Sequence, residues 1–484
     1  MKFSIFVKMK NFITGRKILL FFLFFILIKG TIWSGGISLF TLSDEITHFT
    51  YIQYLAEHKE LPRSADVLAK LETSSIDLRK TLKILEVDKT PLSDAHLDFA
   101  KTREHGNDPN PISFHDFLNN PNLRANWSFS YPPLYYAFGS VLYIFGKTIG
   151  FDITSIAYLL RFSAIFFLII TVIFSYKTAL ILSRDRLFAI IVCSIIALMV
   201  SVNTVFSSIN NDVALIAFSH IVLYLIYRIF YSPPQNVNLL MVLLFFAFLA
   251  AILSKPQAII FVPLLVGALM YNGLKNKKLK SNMTVNILAA AAVSLTTILL
   301  LPKGFFSNFL KIGFGSINGT GEIITIIIND LIRRFNLVFD FFIQLGLFNS
   351  SYPIWIFSFL GVMILLSGLG MILFFYHFFK GRHSNTEKAK ALLMCLIPFI
   401  TLEILYTFLY YREAIINKVY DFPGQGRYYF IVLAPLIMMF VYGLQYIFEL
   451  IKVPRRVLYY ILVLFFAFLN GYFLIHIIVP SAYL

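Results

Sequence analysis

Apolar runs of roughly 18 to 25 residues recur along most of this chain, and each is long enough to cross about 30 Å of hydrocarbon at about 1.5 Å of rise per residue. That recurrence leaves few folds open. Inside a bilayer the backbone must satisfy its own hydrogen bonds, so such runs are read as helices; a β-barrel would instead show short alternating strands, which the sequence lacks. Composition agrees: hydrophobic residues make up 58% of the 484, charged residues only 14%, and mean hydropathy is +0.77. A soluble globular chain carries far more charge. The expected fold class is therefore an all-α polytopic membrane protein in one membrane domain spanning 1–484.

The formal charge of +16 has the sign of a nucleic-acid binder, but its distribution excludes that class. Between Phe40 and Tyr131 fourteen Asp and Glu stand against ten Lys and Arg, so the basic excess belongs to the rest of the chain. There it falls mostly in short loops between apolar runs, as orientation requires. Cys193 and Cys395 both sit inside apolar runs, which argues against a disulfide or a zinc site.

Met1 to Lys17 carries Lys2, Lys8, Lys10, Arg16 and Lys17 and no acid, which places the N-terminus in the cytoplasm. The following run, longer than a signal-peptide core and without a small-residue cleavage pattern, reads as a retained anchor. Eleven crossings are expected: Ile18 to Phe40, Ser155 to Leu182, Leu187 to Phe206, Val213 to Phe230, Leu239 to Leu253, Ala258 to Tyr271, Met283 to Leu301, Pro353 to Phe379, Ala389 to Tyr410, Tyr428 to Ile451 and Val457 to Val479. This count treats the short run after Tyr131 as interfacial, because only then do the clusters at Arg184, Lys275, Lys380 and Lys452 all fall on one side. Two outer loops result, 40–131 and 303–352. In the first, Ile46 to Leu55 and Val67 to Leu85 have the pattern of helices lying on the membrane surface; Arg333 and Arg334 mark another in the second. Lys29 is expected to snorkel from the first helix toward an interface, with a lipid phosphate site as the alternative. Lys29 and Glu403 are the main charges placed at mid-membrane.

Under this topology Asp44, Glu45, His48, Asp212, Lys255, Arg412 and Arg427 converge at the outer face. An acid beside the bilayer can take a proton from an acceptor hydroxyl, and cations at the same depth can hold a phosphate, which is the chemistry of attack on a sugar joined to a lipid phosphate. A structural reading competes. Thr41-x-x-Asp44 has the form of a capping box, and acids in a first helical turn are favoured by the helix dipole. Adjacent side chains on a helix diverge by about 100°, so at most one acid of the pair should point at a reacting atom. His48, four residues after Asp44, can share its face, and a carboxylate–imidazole pair there keeps a divalent metal in play without favouring it.

Asp44-Glu45 after the first membrane helix, Leu61-Pro62, Tyr131-Pro132-Pro133-Leu134-Tyr135-Tyr136, Asn211-Asp212, Ser254-Lys255-Pro256 and Gly426-Arg427-Tyr428, in this order, resemble the GT-C superfamily from about Ile18 to Ile451. The nearest branches are the protein O-mannosyltransferase-like and aminoarabinose-transferase-like enzymes, and the glycine-arginine-tyrosine element also resembles a group of bacterial membrane proteins of uncharacterised function. The resemblance implies a GT-C-like bundle and an inverting glycosyltransferase using a polyprenyl-phosphate-linked sugar at the outer face of a bacterial inner membrane, with no cofactor required. Asp44 matches the family's first-loop acid and general base, with Glu45 as helper or alternative. Asp212 matches the second acid, and Lys255 and Arg427 the cations on the lipid phosphate. Tyr131, Tyr135, His48 and Arg412 are accessory candidates. Tyr131 stands where relatives often carry a basic residue or histidine, and Pro256 where glycine often follows the lysine.

Three other classes compete, one of them a non-catalytic lipid-binding or assembly protein. A transporter predicts charges near the midplane and internal repeats, and no repeat is present. A polysaccharide polymerase or ligase would use a similar bundle. The sugar and the acceptor, whether lipid, glycan or protein, are not encoded in any motif.

Overall fold

A computed structural model describes residues 22–37, 39, 44–61, 131–231, 237–275, 320–343, 353–381, 386–416 and 425–478. In chain order the helices are α1 (Phe22–Gly36), α2 (Glu45–His58), α3 (Leu134–Thr148), α4 (Ile153–Ser183), α5 (Arg186–Leu198), α6 (Val200–Val205), α7 (Asp212–Tyr231) and α8 (Val237–Ser254). A 3-10 turn (Pro256–Phe261) leads into α9 (Val262–Lys275), followed by α10 (Thr320–Ile343), α11 (Ile354–Phe379) and α12 (Thr386–Ile416). A second 3-10 turn (Gly426–Val432) opens α13 (Leu433–Leu450), and α14 (Arg455–Phe473) ends in a π turn. There is no strand among the described residues.

Among the described residues, six helices are long and apolar enough to cross a membrane: Ile153–Ser183, Asp212–Tyr231, Ile354–Phe379, Thr386–Tyr411, Gly426–Leu450 and Arg455–His476. The protein is an all-α integral membrane protein. Four more of the expected crossings fall on shorter apolar helices, Phe22–Gly36, Arg186–Leu198, Leu239–Ser254 and Pro256–Ala268. The expected crossing from Met283 to Leu301, and the surface helix from Val67 to Leu85, lie outside the described residues.

The bundle has two chemically different ends. At one, Arg184 pairs with Glu387 at 3.2 Å, Arg455 with Asp185 at 2.7 Å and Lys388 with Glu449 at 3.8 Å, joining the ends of α4 and α13 to the starts of α12 and α14. At the other, the starts of α2 and α7, the end of α8 and the turn at Gly426 meet. The 18 residues of α13 separate these ends by about 27 Å, close to the thickness of a bilayer core.

Two local expectations change. Lys29 does not snorkel: it is buried, and its ammonium donates to the Ala197 carbonyl and Asn203 Oδ1, where the α5–α6 break at Met199 frees backbone oxygens. Helix α2 does not lie exposed on the surface either. Phe49, Tyr51, Ile52 and Tyr54 are all buried, and Ile52 packs on Gly139 of α3, where a Cβ would come within 2.6 Å of its side chain. Helix α10 has the amphipathic form expected near Arg333 and Arg334, with Ile324, Ile328, Leu331 and Phe335 exposed in a helical stripe.

Candidate functional site: an acid and cation cluster framed by tyrosines

The chain reaches the site through four breaks in helical structure. Asp44 precedes α2 with φ 66°, a left-handed backbone that Asp tolerates better than most residues, and its side chain makes no capping bond. Asp44 thus stands just before the helix, whereas a capping box begun at Thr41 would place it in the first turn. Asp212 is the first residue of α7, where the helix dipole favours a carboxylate, and Asn210 Oδ1 accepts from Val213 N–H just before it. Lys255 is extended between α8 and the 3-10 turn, with Pro256 at the first helical position, as a proline without an N–H prefers. Gly426 packs so tightly on the end of α10 that a Cβ would lie 2.2 Å from the Phe341 nitrogen, and its N–H donates to Asp340 Oδ2.

These breaks bring together charges separated by most of the sequence. Arg427 Nη2 donates to Asp44 Oδ2 at 2.6 Å, and its Nε lies 3.4 Å from Asp212 Oδ2. Lys255 Nζ donates to Asp212 Oδ1 at 2.6 Å. Two carboxylates are thus balanced by two cations in a place where little water reaches, since Arg427 and Lys255 side chains are each 5% exposed and Asp44 is 16%. Aromatic rings close the sides: Lys255 Nζ stands 5.2 Å from the Tyr131 ring and 5.4 Å from the Tyr428 ring, and Arg427 packs over Tyr428 at 5.9 Å. Cations over ring faces gain further stabilisation, more so when desolvated.

His48 stands behind this cluster, with Nδ1 2.8 Å from the Tyr136 hydroxyl and its ring stacked 6.3 Å from Tyr131. Burial pushes its imidazole down to about 4, against the opposing pull of Asp44. It is neutral at physiological pH. Burial, with Asp212 and Asp44 nearby, holds the Tyr131 hydroxyl well above its ordinary range, so it remains a neutral donor. Tyr135 is buried against Phe167. No group of three or more His, Cys, Asp or Glu among the described residues is arranged to hold a metal ion.

Glu45 takes a different place from its neighbour. Its carboxylate is fully buried and bound by both arms of Arg161, Nε to Oε1 and Nη2 to Oε2 at 2.6 Å each, and Oε1 also accepts from the Ile209 N–H at 3.1 Å. Arg161 continues to the Ser34 and Ile37 carbonyls. This is a strut tying α1, α2, α4 and the loop before α7, and it turns Glu45 away from the Arg427 cluster. Sequence reasoning missed Arg161, although an arginine nine residues into an apolar helix is itself the signal of a buried partner. Glu403, expected at mid-membrane, pairs with Arg334 of α10 and accepts from the Tyr429 hydroxyl at 2.7 Å. Arg412 is on α12, and its side chain lies outside the described residues.

A family model described as predicted membrane protein (DUF2142) matches residues 25–439. The chain belongs to this family. The matched stretch contains Asp44, Asp212, Lys255 and Arg427, so the whole charge cluster lies within the part that defines DUF2142. No curated protein and no solved structure matches the chain.

Proposed function

We propose that this DUF2142 protein is an inverting glycosyltransferase that moves a sugar from a polyprenyl phosphate to a lipid, glycan or protein acceptor at the outer face of a bacterial inner membrane. The observation that carries the reading is the set of three ion bridges from Arg427 and Lys255 to Asp44 and Asp212, buried at the bundle end opposite the ion pairs of Arg184, Arg455 and Lys388. With the N-terminus cytoplasmic and eleven crossings in a GT-C-like arrangement, the positive-inside rule puts that end outside.

The chemistry balances in charge. Asp44 takes the proton of the acceptor hydroxyl as its oxygen attacks the anomeric carbon from the face opposite the phosphate. The anomeric carbon–oxygen bond breaks, and its electron pair leaves on a phosphate monoester. Negative charge has then moved from Asp44 to the phosphate, and Arg427, held by Asp44 at rest, is positioned to follow it. Lys255 supplies the second cation. A phosphate monoester leaves without a strong general acid, so stabilisation by two cations in a low-dielectric site suffices. Asp212, fixed by both cations, orients them and the acceptor. Glu45 acts through Arg161 as a positioning residue for the segment carrying Asp44.

A strain deleted for this protein should accumulate polyprenyl-phosphate-linked sugars, identified by mass spectrometry of its lipids. An unchanged lipid-linked sugar pool in that strain would defeat the reading.

A further inference from the structure

The charged groups are accompanied by buried oxygens that the fold leaves without partners. Tyr406 of α12 is 6% exposed, and its hydroxyl makes no hydrogen bond. Its ring lies 5.8 Å from that of Tyr428, the ring over which Lys255 and Arg427 stand, which places it on the cluster. Asn211, fully buried beside Asp212, donates from Nδ2 to the Ser254 carbonyl at 3.2 Å. A carbonyl only accepts, so that bond fixes the amide's orientation and leaves Oδ1 as the oxygen without a partner. Gln257, two residues after Lys255, and Gln425, two before Arg427, each carry a buried and unpaired Oε1. A buried polar group without a partner costs about 1 to 3 kcal/mol, so two at the cluster, with two more next to its cations in sequence, need a physical reason.

We infer that Asn211, Gln257, Tyr406 and Gln425, with the rings of Tyr131 and Tyr428, form a subsite for the sugar of the lipid donor. This rests on the donor reading above and names the ligand chemistry on that side of the cluster. Amide oxygens are satisfied only by donors. A phosphate diester offers acceptors alone and a polyprenyl chain offers neither, whereas a sugar presents several hydroxyl donors together with apolar C–H faces that pack on aromatic rings. The cations and the amide oxygens therefore divide the donor between them, phosphate to Lys255 and Arg427, hydroxyls to the uncharged oxygens. Tyr406 is the member whose substitution disturbs the fold least, because phenylalanine keeps its ring on Tyr428 and removes only the hydroxyl, which both donates and accepts.

The test is equilibrium binding to the purified full-length protein in detergent, using bare polyprenyl phosphate and the same lipid carrying glucose, mannose or galactose. The wild type should bind at least one sugar-bearing lipid about tenfold more tightly than the bare lipid. Tyr406→Phe should remove about five- to tenfold of that affinity and leave bare-lipid binding unchanged, the loss expected of one buried hydrogen bond. Equal weakening of both lipids, or no change in either, would overturn the subsite. A wild type that binds bare lipid but gains nothing from any sugar would overturn it too, while leaving the phosphate site standing. Binding of none of the lipids would remove the donor reading itself.

Discussion

Asp44 and Glu45 are neighbours in sequence and end in unrelated ion pairs, one with Arg427 and one with Arg161. The divergence of successive side chains was legible from the sequence, but which acid turned toward the cations was not, because the choice depends on Arg161 arriving from a helix more than a hundred residues away. The two pairs predict different outcomes. Removing one partner from a buried pair leaves an uncompensated charge, so Glu45→Gln should cost about 3 to 5 kcal/mol and lower the melting temperature clearly. Asp44→Asn, at a site that keeps Arg427 beside Asp212, should cost much less; equal melting losses would contradict the strut assignment. His48 adds a pH dependence. Its imidazole titrates near 6.5 when unfolded and about 4 when folded. Above 6.5 it is neutral in both states, and as pH falls from 6.5 toward 4 only the unfolded chain takes up the proton, so stability is lost in that window and levels off below it. His48→Gln should flatten that part of a melting-temperature series, and an unchanged slope would rule His48 out as its source.

Helix breaks, more than helices, build the site. Lys255-Pro256 and Asn210-Asn211-Asp212 were readable as breaks because proline and the asparagine-aspartate run have known preferences for first turns. The segment at Gly426 was readable only as a motif; the reason for its glycine, contact with the backbone of α10 at Asp340 and Phe341, is a tertiary fact. Gly426→Ala should therefore displace the turn that aims Arg427, weakening binding of polyprenyl phosphate as well as lowering stability. Gly471→Ala is a suitable control, since nothing lies within 4 Å of its Cβ position. Equal behaviour of the two variants would mean that α10 does not support the site. The tight packing of α2 also escaped the sequence, because its polar residues face partners such as Tyr136 and Tyr143 that no local pattern reveals.

At the scale of the whole molecule, the class was plain from hydropathy alone, and the separation of a basic end from a mixed acid and cation end was foreshadowed by where Lys and Arg cluster. The neutral oxygens around the cluster were not foreshadowed, since Asn, Gln and Tyr beside a charged motif have many ordinary uses. Orientation can be checked with cysteines, because Cys193 and Cys395 are buried and should stay silent. Leu61→Cys, at an exposed position past the end of α2, should react with an impermeant maleimide in intact cells, and Lys390→Cys, at the basic end, only after permeabilisation. The reverse pattern would put the cluster on the cytoplasmic side. The most direct test of the central claim is single-turnover sugar transfer by the purified protein from the lipid-linked sugar that accumulates in the deletion strain. Asp44→Asn should remain folded and bind that lipid yet lose at least about 10²-fold in rate, the low end for a missing general base. Transfer by the Asn variant at the wild-type rate would contradict the account.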